Sequence, residues 1–148
     1  MSAVTTAPDL RALYEQDETA WLDAMAALAA GRHVAHMDFP HLSEYLTDMA
    51  KRDRREVFSR LVVLLAHLLK WEHQPENRGG SWRVTIREQR RELRGLLESG
   101  TLRNHAEAVF AEAYAEARGQ AADETELAPA TFPDASLWTL DAAIDVAA

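Results

Sequence analysis

Eight of the nine residues from Leu61 to Leu69 are apolar, the exception being His67. With Val57 and Phe58 just before it, this run covers most of a helix's circumference rather than one stripe. Such a helix has to be surrounded by other elements, so it belongs at the centre of a bundle. It is too short to cross a bilayer, which takes about 20 apolar residues. The loop HQPENRGG (73–80) ends it with Pro and Gly. A second helix follows, opening on Trp82 and carrying Arg83, Arg87, Arg90 and Arg94. Those arginines sit at i, i+4, i+7 and i+11, which makes one stripe beside the apolar face of Trp82, Ile86, Leu93, Leu96 and Leu97.

The rest of the chain agrees with a helical reading. Its 148 residues suffice for one domain with a real core, expected over residues 1–148. Ala and Leu dominate, Gly and Pro are few, and no segment has strand periodicity. Without cysteine there is no disulfide, thiolate metal site or cysteine nucleophile. No basic patch leads into an apolar run at the start, so no signal peptide is expected and the chain is placed in the cytoplasm, with no membrane partner.

The spacing predicts an all-α bundle of five main helices with a docked C-terminal tail. Helix one spans Leu10 to Ala30, capped by Asp9 and ended by Gly31, with Asp17 in the middle of its apolar stripe. Helix two runs from His41 to Ala50 after Pro40. Asp53 caps helix three, which reaches Glu72. Helix four spans Ser81 to Glu98, and helix five Leu102 to Asp123. Residues 1–8 are expected to be a flexible N-terminus. Residues 125–148 form a tail with a last short helix capped by Thr139 and docked through Trp138 and Leu140.

The net charge of −8 hides an asymmetry. Residues 51–103 hold 13 of the 16 basic and 7 of the 24 acidic side chains, so that block carries +6 and its flanks −14. Two readings follow. Acidic outer helices can neutralise a basic centre, or the stripe of Arg83, Arg87, Arg90 and Arg94 can bind nucleic acid or another anion. The overall acidity disfavours tight non-specific DNA binding. Asp17 on an apolar face needs a partner, and one of those four arginines is expected to form a structural ion pair with it.

Three further constellations carry possible chemistry. Arg60 and His67, seven residues apart, share a helix face. A histidine moving protons beside an arginine on a phosphate would suit a metal-independent, ribonuclease-like phosphodiesterase. The helical ribonucleases of the HEPN group use comparable spacing, but they place a polar residue after the arginine, where this chain has Leu61. His41, Glu44 and Asp48 fall on one side of helix two and are the candidate metal ligands, with His33 and His36 in the preceding loop; the Glu-x-x-His repeats of bundle di-metal sites are missing, and neither metal nor cofactor is expected. Trp71 and Trp82, at the ends of consecutive helices, either lock a hairpin or stack on bases.

Five segments, YEQDETAWL (14–22), HLLKWEHQP (67–75), SWRVTIREQRRE (81–92), AYAEAR (113–118) and FP…WTL (132–140), come in an order that resembles the bacterial domain-of-unknown-function family 29. Helix two departs from the family's Glu-rich tendency, with Tyr45 and Thr47. The Gly-Ser-like turn expected before helix three reads Ala50 to Asp53. The resemblance implies a helical fold and no activity. The residues favour a protein-interaction or scaffold module, through self-association or a protein partner, ahead of anion binding and of the phosphodiesterase.

Overall fold

The structure is a computed structural model that describes residues 9–145. These residues are all-α, with no strand among them. Six helices follow in order: α1 (Leu10–Gln16), α2 (Glu18–Ala30), α3 (Phe39–His73), α4 (Gly80–Leu96), α5 (Gly100–Thr125) and α6 (Leu140–Asp145). Single 3-10 turns occur at Val34–His36, Pro75–Asn77 and Pro129–Thr131. No helix among the described residues is long and apolar enough to cross a membrane. The chain divides into two compact units, one up to Ala50 and one from Lys51. The expected flexible segment 1–8 and residues 146–148 of the expected tail lie outside the described residues.

Two helix boundaries differ from expectation, each for a local reason. Helix one is broken at Asp17, which adopts φ −154° and ψ 87°. Its amide closes α1 on the Leu13 carbonyl at 2.8 Å, and its carboxylate accepts from the Ala20 amide at 3.1 Å to open α2. An Asp gains more by capping free amides than by sitting inside a helix. Asp17 is exposed, so the buried stripe position that called for an arginine partner does not exist. Asp17, the residue from which a structural ion pair with Arg83, Arg87, Arg90 or Arg94 was expected, thus serves as an exposed cap between α1 and α2.

Helices two and three are one helix, α3. Asp53 does not cap; it is an exposed interior residue among Lys51, Arg52, Arg54 and Arg55. An interior Asp loses only about 0.7 kcal/mol against Ala, and no Gly or Pro breaks the run. The other ends move by a few residues. Ser99 caps α5 through the Leu102 amide, and Thr139 caps α6 through the Ala142 amide at 3.1 Å, as expected of the tail.

In the C-terminal unit the apolar part of α3 is the centre. Leu61, Leu64, Leu65 and Leu69 are fully buried against Ile86 and Leu93 of α4 and Ala106, Ala113, Ala117 and Ala121 of α5. The alanine face of α5 admits close helix packing. Phe132 closes the core from the 126–139 segment, edge-on to His73, and Leu140, Ala143 and Ile144 complete it from α6.

Polar contacts fix the covering segment. The Tyr114 hydroxyl donates to the Pro133 carbonyl at 2.5 Å and Arg118 to the Phe132 carbonyl at 3.2 Å. Arg90 donates through Nε to the Ala143 carbonyl at 3.0 Å, and Arg94 to the Ile144 carbonyl at 3.1 Å. Arg94 also meets the Asp145 carboxylate at 3.3 Å, and Arg103 pairs with Asp141. Two arginines thus occupy the unsatisfied carbonyls at the C-terminus of α6, where the helix dipole is negative.

Arg90 is almost wholly buried, so Arg90→Leu keeps apolar bulk and strands the Ala143 carbonyl. Urea unfolding should show a loss of about 2 kcal/mol. Arg87→Leu, one turn away and exposed, should change stability by less than about 0.5 kcal/mol.

Candidate functional site

In the N-terminal unit the polar centre is Asp38, a residue that the sequence reading passed over. It is 5% exposed and precedes the first turn of α3. Its Oδ2 accepts from the indole Nε1 of Trp21 at 3.2 Å and from Nδ1 of His41 at 2.7 Å, while Oδ1 accepts from the His41 amide at 3.4 Å. Its own amide points at the Met25 sulfur, 3.4 Å away. Burial alone would push the Asp38 carboxyl up; the bonds from His41 and Trp21 outweigh it and hold the pKa below the ordinary value.

The same carboxylate sets His41. With Nδ1 engaged, Nε2 is the free nitrogen, 4.0 Å from Glu15. The His41 ring stacks on Tyr14 with centroids 4.2 Å apart, and Tyr14 meets Trp21 edge-on at 4.8 Å. Burial, then Glu44, Glu18, Asp48 and Glu15, push the Tyr14 hydroxyl pKa up. One buried carboxylate therefore ties α1, α2 and α3 together beneath an acidic, aromatic surface.

The candidate metal ligands His41, Glu44 and Asp48 do not assemble. Among the described residues no group of three or more His, Cys, Asp or Glu side chains is placed to hold a metal ion. His41 is turned to Asp38 and Tyr14, away from a shared set with Glu44 and Asp48. His33 and His36 are exposed and line an open cleft of about 710 Å³ with Leu10, Ala24, Leu28, Met37 and Asp38.

In the C-terminal unit Arg60 and His67 are each held by other groups. Arg60 bonds Glu56 at 3.0 Å and Gln89 at 3.1 Å, with Glu92 at 4.0 Å. His67 donates from Nδ1 to the Val63 carbonyl at 2.8 Å. Burial lowers the His67 pKa, the bond to Val63 opposes this, and the Lys70 charge lowers it further while Glu124 raises it. No shared contact forms between the two residues that a phosphodiesterase would need together.

Next to His67 lies a pair with no local signature in the sequence, since its members are 54 residues apart. Lys70 is buried, and its ammonium meets Glu124 at 2.6 Å and the Trp82 ring at 5.2 Å. Trp71 carries two guanidiniums: Arg78 at 5.0 Å from the ring centroid and Arg83 at 5.7 Å. Both tryptophans thus belong to the α3–α4 hairpin, Trp82 with one cation on its ring and Trp71 with two. The four-arginine stripe is split in two. Arg90 and Arg94 are committed to α6, whereas Arg83 and Arg87 are exposed.

Two outcomes follow from these environments. Asp38→Ala removes a cap and strands the buried Trp21 N–H, so unfolding free energy should fall by about 3 kcal/mol. Because the folded Asp38 pKa lies below its unfolded value, its contribution is present above the ordinary carboxylate range and lost as pH falls through the folded pKa; the gap between wild type and variant in urea midpoint should narrow there. His67 acts in the same direction at higher pH. Its folded pKa lies below its unfolded value of about 6.5, so the unfolded chain binds the proton first and stability drops as pH falls below that value. His67→Gln should flatten this part of the stability–pH profile, read as urea midpoints across mildly acidic pH.

Comparison with curated proteins and with solved structures gives no significant match. The family model described as "Domain of unknown function DUF29" matches residues 13–147, a span that holds both units from the Tyr14–His41 stack to the arginine-held α6. The chain belongs to the DUF29 family.

Proposed function

We propose that this chain is a protein-interaction module of the bacterial cytoplasm whose N-terminal unit receives a partner. The observation that carries the reading is an apolar stripe left open on α3. Phe39 and Leu46 are seven residues apart, hence on one helix face, and are 48% and 58% exposed. Val34, just before α3, is 56% exposed. Large side chains held half in water at helical spacing are anchors of the kind used when one helix lies in the groove of another protein.

Charge narrows the partner. Residues 1–50 hold eight acidic and two basic side chains, a net charge of −6. Asp38 is buried, but Glu15, Glu18, Glu44 and Asp48 are exposed. The complementary ligand is a segment of apolar side chains flanked by lysine or arginine, in a partner protein or in a second copy of this chain. The ribonuclease-like reading has less behind it, because Arg60 and His67 are engaged by different groups.

A fluorescently labelled amphipathic helical peptide of Leu and Lys tests the surface by anisotropy. Saturable binding should weaken as salt rises. The double variant Phe39→Asp, Leu46→Asp should lose about tenfold or more in affinity, equivalent to about 1.4 kcal/mol. Light scattering over a concentration series separates self-association from partner binding. Peptide binding unchanged in the double variant, in a chain that stays monomeric, would sink the proposal.

A further inference from the structure

We infer that Arg78 and Arg83, gathered on Trp71, form a receptor for a phosphate group. This site lies wholly in the C-terminal unit and is independent of the surface assigned to protein partners. Two guanidiniums share one indole, with centroid distances of 5.0 and 5.7 Å. Like charges brought to one ring repel, and proteins normally place a carboxylate between them. None of the ion pairs formed by the described residues involves either arginine, although Glu72 and Glu76 are close in sequence. Arg60, Arg91, Arg94, Arg103 and Arg118 have carboxylate partners, whereas Arg78 and Arg83, like Arg87, take part in none of these pairs.

Arg78 is also pre-set. Its Nε donates to the Trp71 carbonyl at 2.6 Å, and its guanidinium lies against the indole. That bond fixes the plane and leaves the terminal nitrogens uncommitted. A planar fork so held can give two parallel N–H bonds to a tetrahedral oxyanion. Arg83 brings a second fork to the same ring from the first turn of α4. Both side chains are exposed, so an anion reaches them without displacing core groups. Nearby Lys70 adds little field, since Glu124 neutralises it at 2.6 Å. One fixed fork with a second guanidinium near the same ring suits a doubly charged group better than a single carboxylate, hence the assignment to phosphate, whether free or on a nucleotide.

The full chain is titrated with inorganic pyrophosphate by calorimetry at low salt, with tryptophan fluorescence as a second readout because Trp71 lies under both cations. Saturable binding is expected, with an indole signal that tracks the heat. Arg78→Gln with Arg83→Gln should weaken it about a hundredfold, roughly tenfold for each charge-assisted contact. Arg78→Lys with Arg83→Lys keeps the charge but loses the forks, and should still weaken binding about tenfold. Circular dichroism should match wild type, and the urea midpoint should fall only by the small amount that the Arg78 bond to the Trp71 carbonyl supplies. ATP binding tighter than pyrophosphate assigns the phosphate to a nucleotide; equal binding assigns it to the free anion. Acetate at the same concentration should give no saturable signal. Absence of pyrophosphate binding at low salt, or binding undiminished in the glutamine double variant, overturns the assignment.

Discussion

The C-terminal unit is organised by the need to cover α3 between Leu61 and Lys70 on nearly every side. Eight of those ten residues are buried, and only Val63 and His67 on one edge are half-open. One helix cannot shield another that is apolar all round, and α4 and α5 leave a gap. The 126–139 segment and α6 fill it with Phe132, Leu140, Ala143 and Ile144. At about 25 cal/mol per Å² of apolar surface, burying such side chains supplies the main favourable term. Short elements like α6 do not fold on their own account, since six residues make too few intrahelical bonds to offset nucleation. Their place depends on the core beneath them and on the charged groups that receive their ends.

Those charged groups explain why a basic centre sits between acidic flanks. The +6 block and the −14 flanks are neither two separate fields nor one uniform cancellation. Arg90 and Arg94 satisfy backbone carbonyls at the end of α6, and Arg103 and Arg118 meet Asp141 and Asp134. Lys70 is drawn inside the core and neutralised by Glu124. Most of these contacts join residues more than a dozen positions apart, so they specify which segment covers the core. A surface ion pair alone adds little to stability. A buried guanidinium on a helix end adds more, because the carbonyl would otherwise be without a partner.

Three aspartates show what was legible in the sequence. The all-α class, the central run and the Thr139-capped last helix were all readable from composition and spacing. Asp17 and Asp53 were assigned the wrong surroundings, and Asp38 was given no role. Asp17 fell at helical spacing within an apolar stripe, yet its capping preference broke the helix there. Asp53 had the composition of a cap, yet neighbours with good helix propensity carried α3 through it. Asp38 stood in a presumed loop, though the order Asp38, Pro40, His41 has the outline of a helix start with a partner at the third position. Its bond to Trp21, 17 residues away, left no mark on local pattern. The candidate sites fared the same way. Periodicity placed Arg83, Arg87, Arg90 and Arg94 on one stripe, but what each meets is decided by α6 and Trp71, which periodicity does not report.

This division also separates residues that report on function from those that report on folding. Arg90 and Arg83 are two turns apart on α4, yet Arg90 is buried against α6 and Arg83 is exposed on an indole. Loss of Arg90 is felt first as a loosened α6, so any change in binding follows from stability. Loss of Arg78 or Arg83 removes a cation from the face of Trp71 while the buried side of the hairpin keeps its contacts. The same contrast holds in the N-terminal unit, where Asp38 bonds Trp21 and His41 whereas Leu46 is exposed. The acidic and basic surfaces left over once the fold has satisfied its own charges are small, and they are different in kind: one apolar and anionic, the other aromatic and cationic.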